Sequence, residues 1–343
     1  MNTPAMARTE DARTAAEARP GASPEVIGVD LGGTKMAVGV LDDDRRILYR
    51  STAPSAGLHQ DEVLATLARE LSAAMAARPQ AAAVGLGVPC TIDRARGVAI
   101  NAVNLDLVNV PIRDLVGERT GLPAFVDNDA NVAAIAEHRH GAARGARDAV
   151  MLTIGTGIGG GLILDGRPYR GSTGAGAELG HVVIDMDGPP CQGNCPNRGC
   201  VEALASGHAL AREGRAAAER DPDSALGRVL AAGEEIDGKA VTNAALAGDR
   251  VAREAVATIG RNLGVALATF ANVFDPDVIV IGGGVSVVGD LLLEPARAEL
   301  RSRALPPMDR TPVRGAELGP DAGMIGAAAL AELELELSDA AES

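Results

Sequence analysis

Three kinds of residue cluster in this chain could carry chemistry. The stretch FVDNDANVAAIAEH, residues 125–138, places Asp127, Asn128, Asp129 and Asn131 where an apolar strand gives way to a helix. Asp127 or Asn128 is suited to cap that helix, because a short polar side chain there accepts the first unpaired N–H groups. Three carboxylate or amide groups in succession exceed what a cap requires, and a carboxylate held beside a reacting hydroxyl is a general base. The stretch CQGNCPNRGC, residues 191–200, holds three of the four cysteines. Three residues separate Cys191 from Cys195 and four separate Cys195 from Cys200, spacings that suit structural zinc pairs. Such an ion needs a fourth ligand; three free thiols and a redox disulfide are the other readings. Cys90 stands apart and has the character of a small buried thiol.

The third kind is glycine turns. In DLGGTK, residues 30–35, Gly32 and Gly33 leave backbone N–H groups open to a phosphate, Thr34 adds a hydroxyl, Lys35 a charge, and Asp30 can hold a water of a Mg2+ ion. Taken alone, the turn is equally an ordinary tight hairpin. GTGIGG, residues 155–160, has the spacing of a dinucleotide fingerprint, but GLILDG follows it. That continuation is a strand, whereas the fingerprint needs a helix N-terminus aimed at a pyrophosphate. A third turn, Gly282-Gly283-Gly284, follows the apolar run from Asp277 to Ile281.

The elements that must position these groups are legible from periodicity. Residues 26–51 are expected to form strand, glycine turn, strand, acidic turn and strand. Residues 61–78 carry Val63, Leu64, Leu67, Leu71 and Met75 at helical spacing, and 251–274 form a second, longer helix. Residues 150–171, VMLTIGTGIGGGLILDGRPYRG, overlay the first segment without a gap: Asp30 falls on Thr153, Leu31-Gly32 on Ile154-Gly155, and Leu41-Asp42 on Leu164-Asp165. Two copies of one unit at the heads of two halves imply a duplicated fold. The stretch GAARGARDA, 141–149, is a candidate boundary between the halves.

A length of 343 residues favours two domains. Aromatic residues make up only 1% of the chain, so the cores must be built from Ala, Val, Leu and Ile. A formal charge of −14, with a pI near 4.9, argues against a nucleic-acid or anionic-membrane surface. No apolar run approaches the roughly 20 residues a membrane span needs. The first residues, 1–24, lack an apolar segment suited to secretion and are expected to be a disordered leader. A cytoplasmic, reducing location follows, in which clustered cysteines favour metal over disulfide.

Taken together, DLGGTK, VDNDANVAA at 126–134, GTGIGGG, ELGH at 178–181, GCVEALAS at 199–206 and IGGGVS at 281–286 resemble the ROK sugar kinases, within the actin, hexokinase and Hsp70 superfamily. The resemblance runs from about Val26 to Leu330. It implies an α/β, two-lobed, ribonuclease H-like duplicated fold with a cleft between the lobes. The small lobe would comprise 25–141 plus a C-terminal helix at about 323–335, and the large lobe 142–322 with a zinc loop at 181–200. The implied activity is ATP-dependent phosphorylation of the 6-hydroxyl of a hexose, glucose first, with N-acetylmannosamine, N-acetylglucosamine and fructose as alternatives.

The resemblance also implies roles for individual residues. Asp129 would be the base, and Asn104, Asn128, Asp129, Glu178, His181 and Glu202 would bind the sugar. Asp30, Gly32, Gly33, Thr34, Lys35, Gly155, Thr156 and Gly157 would serve the phosphates and Mg2+, with Gly282, Gly283 and Gly284 at the adenosine. His181 would complete a structural Zn2+ site with Cys191, Cys195 and Cys200, pinning a loop that carries Glu178 and Glu202. The chain departs from the family pattern in having Cys90 where glycine is usual, a first cysteine gap two residues longer, and no Trp near Asn104. A homodimer or homotetramer is implied. Relatives that act as sugar-responsive repressors carry an N-terminal helix-turn-helix. The roughly 25 residues before the first strand show no helical apolar periodicity, so no nucleic-acid partner is expected.

Overall fold

Val26–Leu31 (β1) is apolar along both faces, the pattern of a strand covered from both sides. It pairs antiparallel with Lys35–Leu41 (β2), which continues into Ile47–Pro54 (β3). The helix Gln60–Ala77 (α1) leads to Ala83–Val88 (β4), parallel to β1. A small three-stranded sheet follows, Cys90–Asp93 (β5), Val98–Ala102 (β6) and Val108–Val110 (β7), which the apolar pattern had not marked. The helix Ile112–Thr120 (α2) then returns the chain to Ala124–Asn128 (β8), parallel to β4. The sheet order is β3-β2-β1-β4-β8. The computed structural model describes residues 24–42, 44–102 and 105–342, so the expected leader, all but its last residue, lies outside the described residues.

After the helix Asp129–His140 (α3) the pattern repeats. Ala149–Ile154 (β9), Ile158–Leu164 (β10) and Arg167–Tyr169 (β11) form a meander, and a second sheet is ordered β11-β10-β9-β12-β13 with Val278–Gly282 (β12) and Val313–Gly315 (β13). Each sheet has two antiparallel pairings followed by two parallel ones. The duplication expected from the two glycine hairpins is therefore present in the topology. The ungapped overlay needs one adjustment: Val26 pairs with Leu41, but Ala149 pairs with Ile163 rather than Leu164. The second turn is one residue tighter than the first.

Between β11 and β12 lie Val201–Ala205 (α4), Gly207–Arg220 (α5), Ala225–Ala231 (α6), Gly238–Leu246 (α7) and Arg250–Phe274 (α8). The longest, α8, buries Val256, Ile259, Leu263, Leu267 and Phe270 at helical spacing, and the Asp249 side chain caps it by accepting from Ala252 N–H at 2.9 Å. Asp290–Arg303 (α9) packs beside it before β13. The final helix, Ala322–Glu342 (α10), runs beyond the expected 323–335 and lies on the first sheet. It can do so because Gly28, Gly39 and Gly85 stand in register across β2, β1 and β4. A Cβ on Gly28 would sit 2.1 Å from the Met324 carbonyl oxygen, and one on Gly85 only 1.7 Å from that of Ala327.

The chain passes between the two sheets twice, from α3 to β9 and from β13 to α10. Glu137, near the end of α3 and 1% exposed, joins both passages. Its carboxylate accepts from the backbone N–H of Ala142 at 2.8 Å, of Glu317 at 3.0 and 3.2 Å, and of Leu318 at 3.1 Å.

Candidate active site

The start of α3 brings the acidic residues together. Asn128 is the helix cap: its Oδ1 accepts from Ala130 N–H at 2.9 Å and Asn131 N–H at 3.4 Å, while Nδ2 donates to the Cys90 carbonyl at 3.3 Å. The amide oxygen of this expected sugar ligand is thus already engaged, and its side chain also hydrogen-bonds to Asp129. Asp127 is 1% exposed and fully partnered. One oxygen accepts from Asn128 N–H at 2.8 Å and Asn131 Nδ2 at 2.9 Å, and the other accepts from Arg170 Nε.

Asp129 follows with one oxygen taking Ala130 N–H at 2.9 Å. Burial pushes its pKa above the ordinary carboxylate range, and the charge of Glu178 adds to the rise, against the pull of backbone N–H groups. Asp30, at the end of β1, is raised to about 6, first by burial and then by the charge of Asp129, with Lys35 opposing. Asp30 at the end of β1 thus feels the charge of Asp129 at the start of α3, and Asp129 that of Glu178 in the loop after β11. Carboxylates coupled this way favour a bound cation or a hydroxyl that hands over its proton.

The two glycine hairpins lie at the heads of the two sheets. In the first, Gly32 N–H bonds to the Lys35 carbonyl at 3.0 Å, the Ser55 hydroxyl donates to the Gly32 carbonyl, and Thr34 and Lys35 are exposed. In the second, Gly155 N–H bonds to the Gly157 carbonyl at 2.9 Å, and Gly207 N–H at the start of α5 donates to the Gly155 carbonyl at 2.8 Å. The third turn abuts the second hairpin. Gly283 adopts φ +88°, and a Cβ there would lie 2.5 Å from the Ile154 backbone. Left-handed backbone and close approach together restrict the position to glycine.

His181, Cys191, Cys195 and Cys200 form the fourth group, with one ligand atom from each lying within 4.8 Å of the others. Cys195 Sγ is 3.8 Å from Cys200 Sγ, and Cys191 Sγ is 3.6 Å from His181 Nδ1. A tetrahedral zinc with ordinary bond lengths has S···S edges of about 3.8 Å and S···N edges of about 3.6 Å. The residues fit the ion. The longer first gap is absorbed by a small turn in which Cys191 N–H bonds to the Asn197 carbonyl at 2.9 Å, and Gly199 N–H to that of Pro189 at 2.8 Å. With no cation among them, burial and the neighbouring thiols push the Cys191 thiol pKa up, so a dication is what would let all three ionise.

His181 Nε2 faces away from Cys191 toward Glu178, 4.0 Å from its Oε2. Glu202 lies between the cysteine loop and the second glycine hairpin. Its Oε2 accepts from Ile158 N–H at 2.8 Å, and Oε1 lies 3.7 Å from Cys191 Sγ, so the carboxylate links the cysteine loop to the second glycine hairpin. Asn104 lies outside the described residues. Arg170 and Glu137 escaped the sequence reading. An Arg after a turn and a Glu in a helix carry no signal of their partners, which lie 43 and 180 positions away in sequence.

Two sheets of one topology, each headed by a glycine hairpin, define the duplicated two-lobed fold of the actin, hexokinase and Hsp70 superfamily. Within it the chain belongs to the ROK family, whose family model matches residues 26–334. The glucokinase of Thermotoga maritima is 37% identical over 89% of this chain and 96% of its own length. That of Streptomyces coelicolor is 38% identical with the same coverage. A ROK family glucokinase from Streptomyces griseus, solved in complex with glucose and AMPPNP, aligns with a TM-score of 0.79 at 37% identity, covering 90% of this chain and 99% of that one.

Proposed function

We propose that the chain is an ATP-dependent glucokinase that forms glucose 6-phosphate. The observation that carries the proposal is the pair of like sheets, each headed by a glycine hairpin, with Asp129 opening the helix α3 that runs between them. The similarity to glucokinases over nearly their whole length supports glucose as the sugar. Asp129 accepts the proton of the 6-hydroxyl as its oxygen attacks the γ-phosphorus of ATP. The bond from that phosphorus to the β–γ bridging oxygen breaks, and ADP leaves. Thr34, Lys35 and the N–H groups at Gly33, Thr156 and Gly157 hold the phosphates, while Gly282 to Gly284 take the adenosine; the Gly32 and Gly155 N–H groups, expected to join them, instead close their own turns.

Asp30, half-buried at the end of β1, suits a water of Mg2+, which supplies charge neutralisation to the phosphates when bound. Glu178, His181, Asn128 and Asn104 grip the sugar hydroxyls. With all four of its ligand positions filled by protein, the zinc is structural. It fixes the loop that carries His181 and, through Glu202, the second hairpin. Lobes of 25–141 with the C-terminal helix, and of 142–322, close on the substrates and exclude water. The setting is cytoplasmic and the assembly a homodimer or homotetramer. Among the described residues no helix is long and apolar enough to cross a membrane.

The test is ADP release from ATP and Mg2+ across hexoses and N-acetylhexosamines, with Asp129→Asn as control. Activity confined to glucose and its close epimers is expected. Preference for an acetylated sugar would reassign the substrate, and sugar binding without turnover in the unmodified chain would make it a sensor.

A further inference from the structure

The segment RGSTGAGAE, residues 170–178, leaves the edge strand β11 of the second sheet and ends at Glu178. Its first residue reaches back to the other lobe. Arg170, 10% exposed, donates from Nε to Asp127, immediately before Asn128 and Asp129, and from its terminal nitrogen to Glu334 of α10 at 3.2 Å. Arg94, beyond β5, donates to the same Glu334 oxygen at 2.6 Å. Two guanidinium groups and two carboxylates thus close into one network that spans both lobes. Arg170 is its only member from the second.

The rest of the segment is laid down from that anchor. Gly176 N–H returns to the Arg170 carbonyl at 2.9 Å. Gly174, at φ +90°, lies against the first lobe closely enough that a Cβ would be 2.6 Å from the Ile92 carbonyl oxygen. Ala177 is held at φ +65°, a left-handed conformation that a non-glycine residue keeps only where its surroundings impose it, and the next residue is Glu178. Three residues on, His181 enters the cysteine cluster. Glu178 is therefore slung between two fixed points, the zinc ligands on one side and the ion pair with Asp127 on the other.

We propose that Arg170 is a positioning residue for the sugar: by fastening the 170–178 segment to Asp127 and Glu334 of the opposite lobe, it fixes the backbone that carries Glu178. The inference rests on the glucokinase reading. It makes sugar affinity, rather than nucleotide affinity or the chemical step, the quantity that depends on this pair.

Steady-state kinetics of Arg170→Gln, Arg170→Lys and Glu334→Gln against the unmodified chain, with zinc content measured in each, provide the test. For Arg170→Gln the glucose KM should rise roughly tenfold or more, with the ATP KM within about twofold and kcat falling less than the glucose KM rises. Arg170→Lys, which keeps the charge but not the two-pronged reach, should recover part of the loss, and Glu334→Gln should raise the glucose KM by a smaller factor. Zinc should stay stoichiometric in all three. A glucose KM within twofold of the unmodified chain, alongside a lowered melting temperature, would make the network purely structural and overturn the proposal. Should Arg170→Gln not fold, unchanged glucose KM in both remaining variants has the same force. An unmodified chain that phosphorylates no hexose would overturn the functional reading instead. Calorimetric glucose affinity of the same variants would then decide the role of Arg170 separately.

Discussion

The Glu202 carboxylate accepts the Ile158 N–H at 2.8 Å and so couples the cysteine loop to the second glycine hairpin. A Cβ on Gly157 would lie 2.3 Å from the same oxygen, so the contact also depends on glycine in the turn. Glu202→Ala should raise the KM for ATP as well as for glucose, each by roughly tenfold, because one buried charge-assisted hydrogen bond is worth about that factor. A change confined to glucose would show that the bond to Ile158 does not shape the phosphate turn.

Asp129→Asn should lower turnover by about 10²-fold or more while leaving glucose affinity largely intact, since an amide still hydrogen-bonds but accepts no proton. Near-normal turnover would place the base elsewhere.

Asp30 gives the stability a pH dependence of definite sign. Its pKa is about 6 in the folded chain against an ordinary 3.8, so between those values the folded state binds more protons than the unfolded one. Its contribution therefore falls as pH rises from about 4 to about 6, and the full penalty is present above that window. Asp30→Asn should accordingly raise the melting temperature by a few degrees at pH 7 and by little near pH 4. Equal differences at both pH values would mean that this carboxyl titrates normally.

Elemental analysis should find one zinc per chain. Cys195→Ser should lose zinc and glucose affinity together, since Cys195 sits 3.8 Å from Cys200 and is one of the four residues whose ligand atoms cluster there. Retained stoichiometric zinc in that variant would remove Cys195 from the ligand set.

Glu137→Ala should destabilise the chain by about 3 kcal/mol or more in urea unfolding, because it strands buried N–H groups on both passages between the lobes. Hydrogen exchange should accelerate first at Ala142, Glu317 and Leu318. Exchange that rises uniformly instead would show that Glu137 supports the fold without a special hold on those passages.

Much of the fold was legible because each strand and helix carries its own periodicity, and the duplication because two glycine hairpins share one pattern. The small sheet β5-β6-β7 was not legible. Its short strands alternate buried and exposed residues only weakly, and its partners are fixed by chain reversal rather than by apolar runs. The cluster of His181 with Cys191, Cys195 and Cys200 was legible, three members from local spacing and His181 from the family resemblance. The engagement of Glu202 was not, since a Glu beside a cysteine motif reads the same whether it faces a sugar or a backbone N–H.

The sequence by itself determined the local vocabulary: glycines where backbone must turn or be approached, apolar periods that commit segments to strand or helix, and ligand types clustered within a few residues. Those choices depend on sterics and burial over distances of a few residues. The tertiary structure decided which distant groups meet. Arg170 finds Asp127 and Glu334, and Glu137 holds both lobe passages. Those encounters follow from how two sheets and the helices α3 and α10 stack, and a one-dimensional pattern does not encode the angle or register of that stacking.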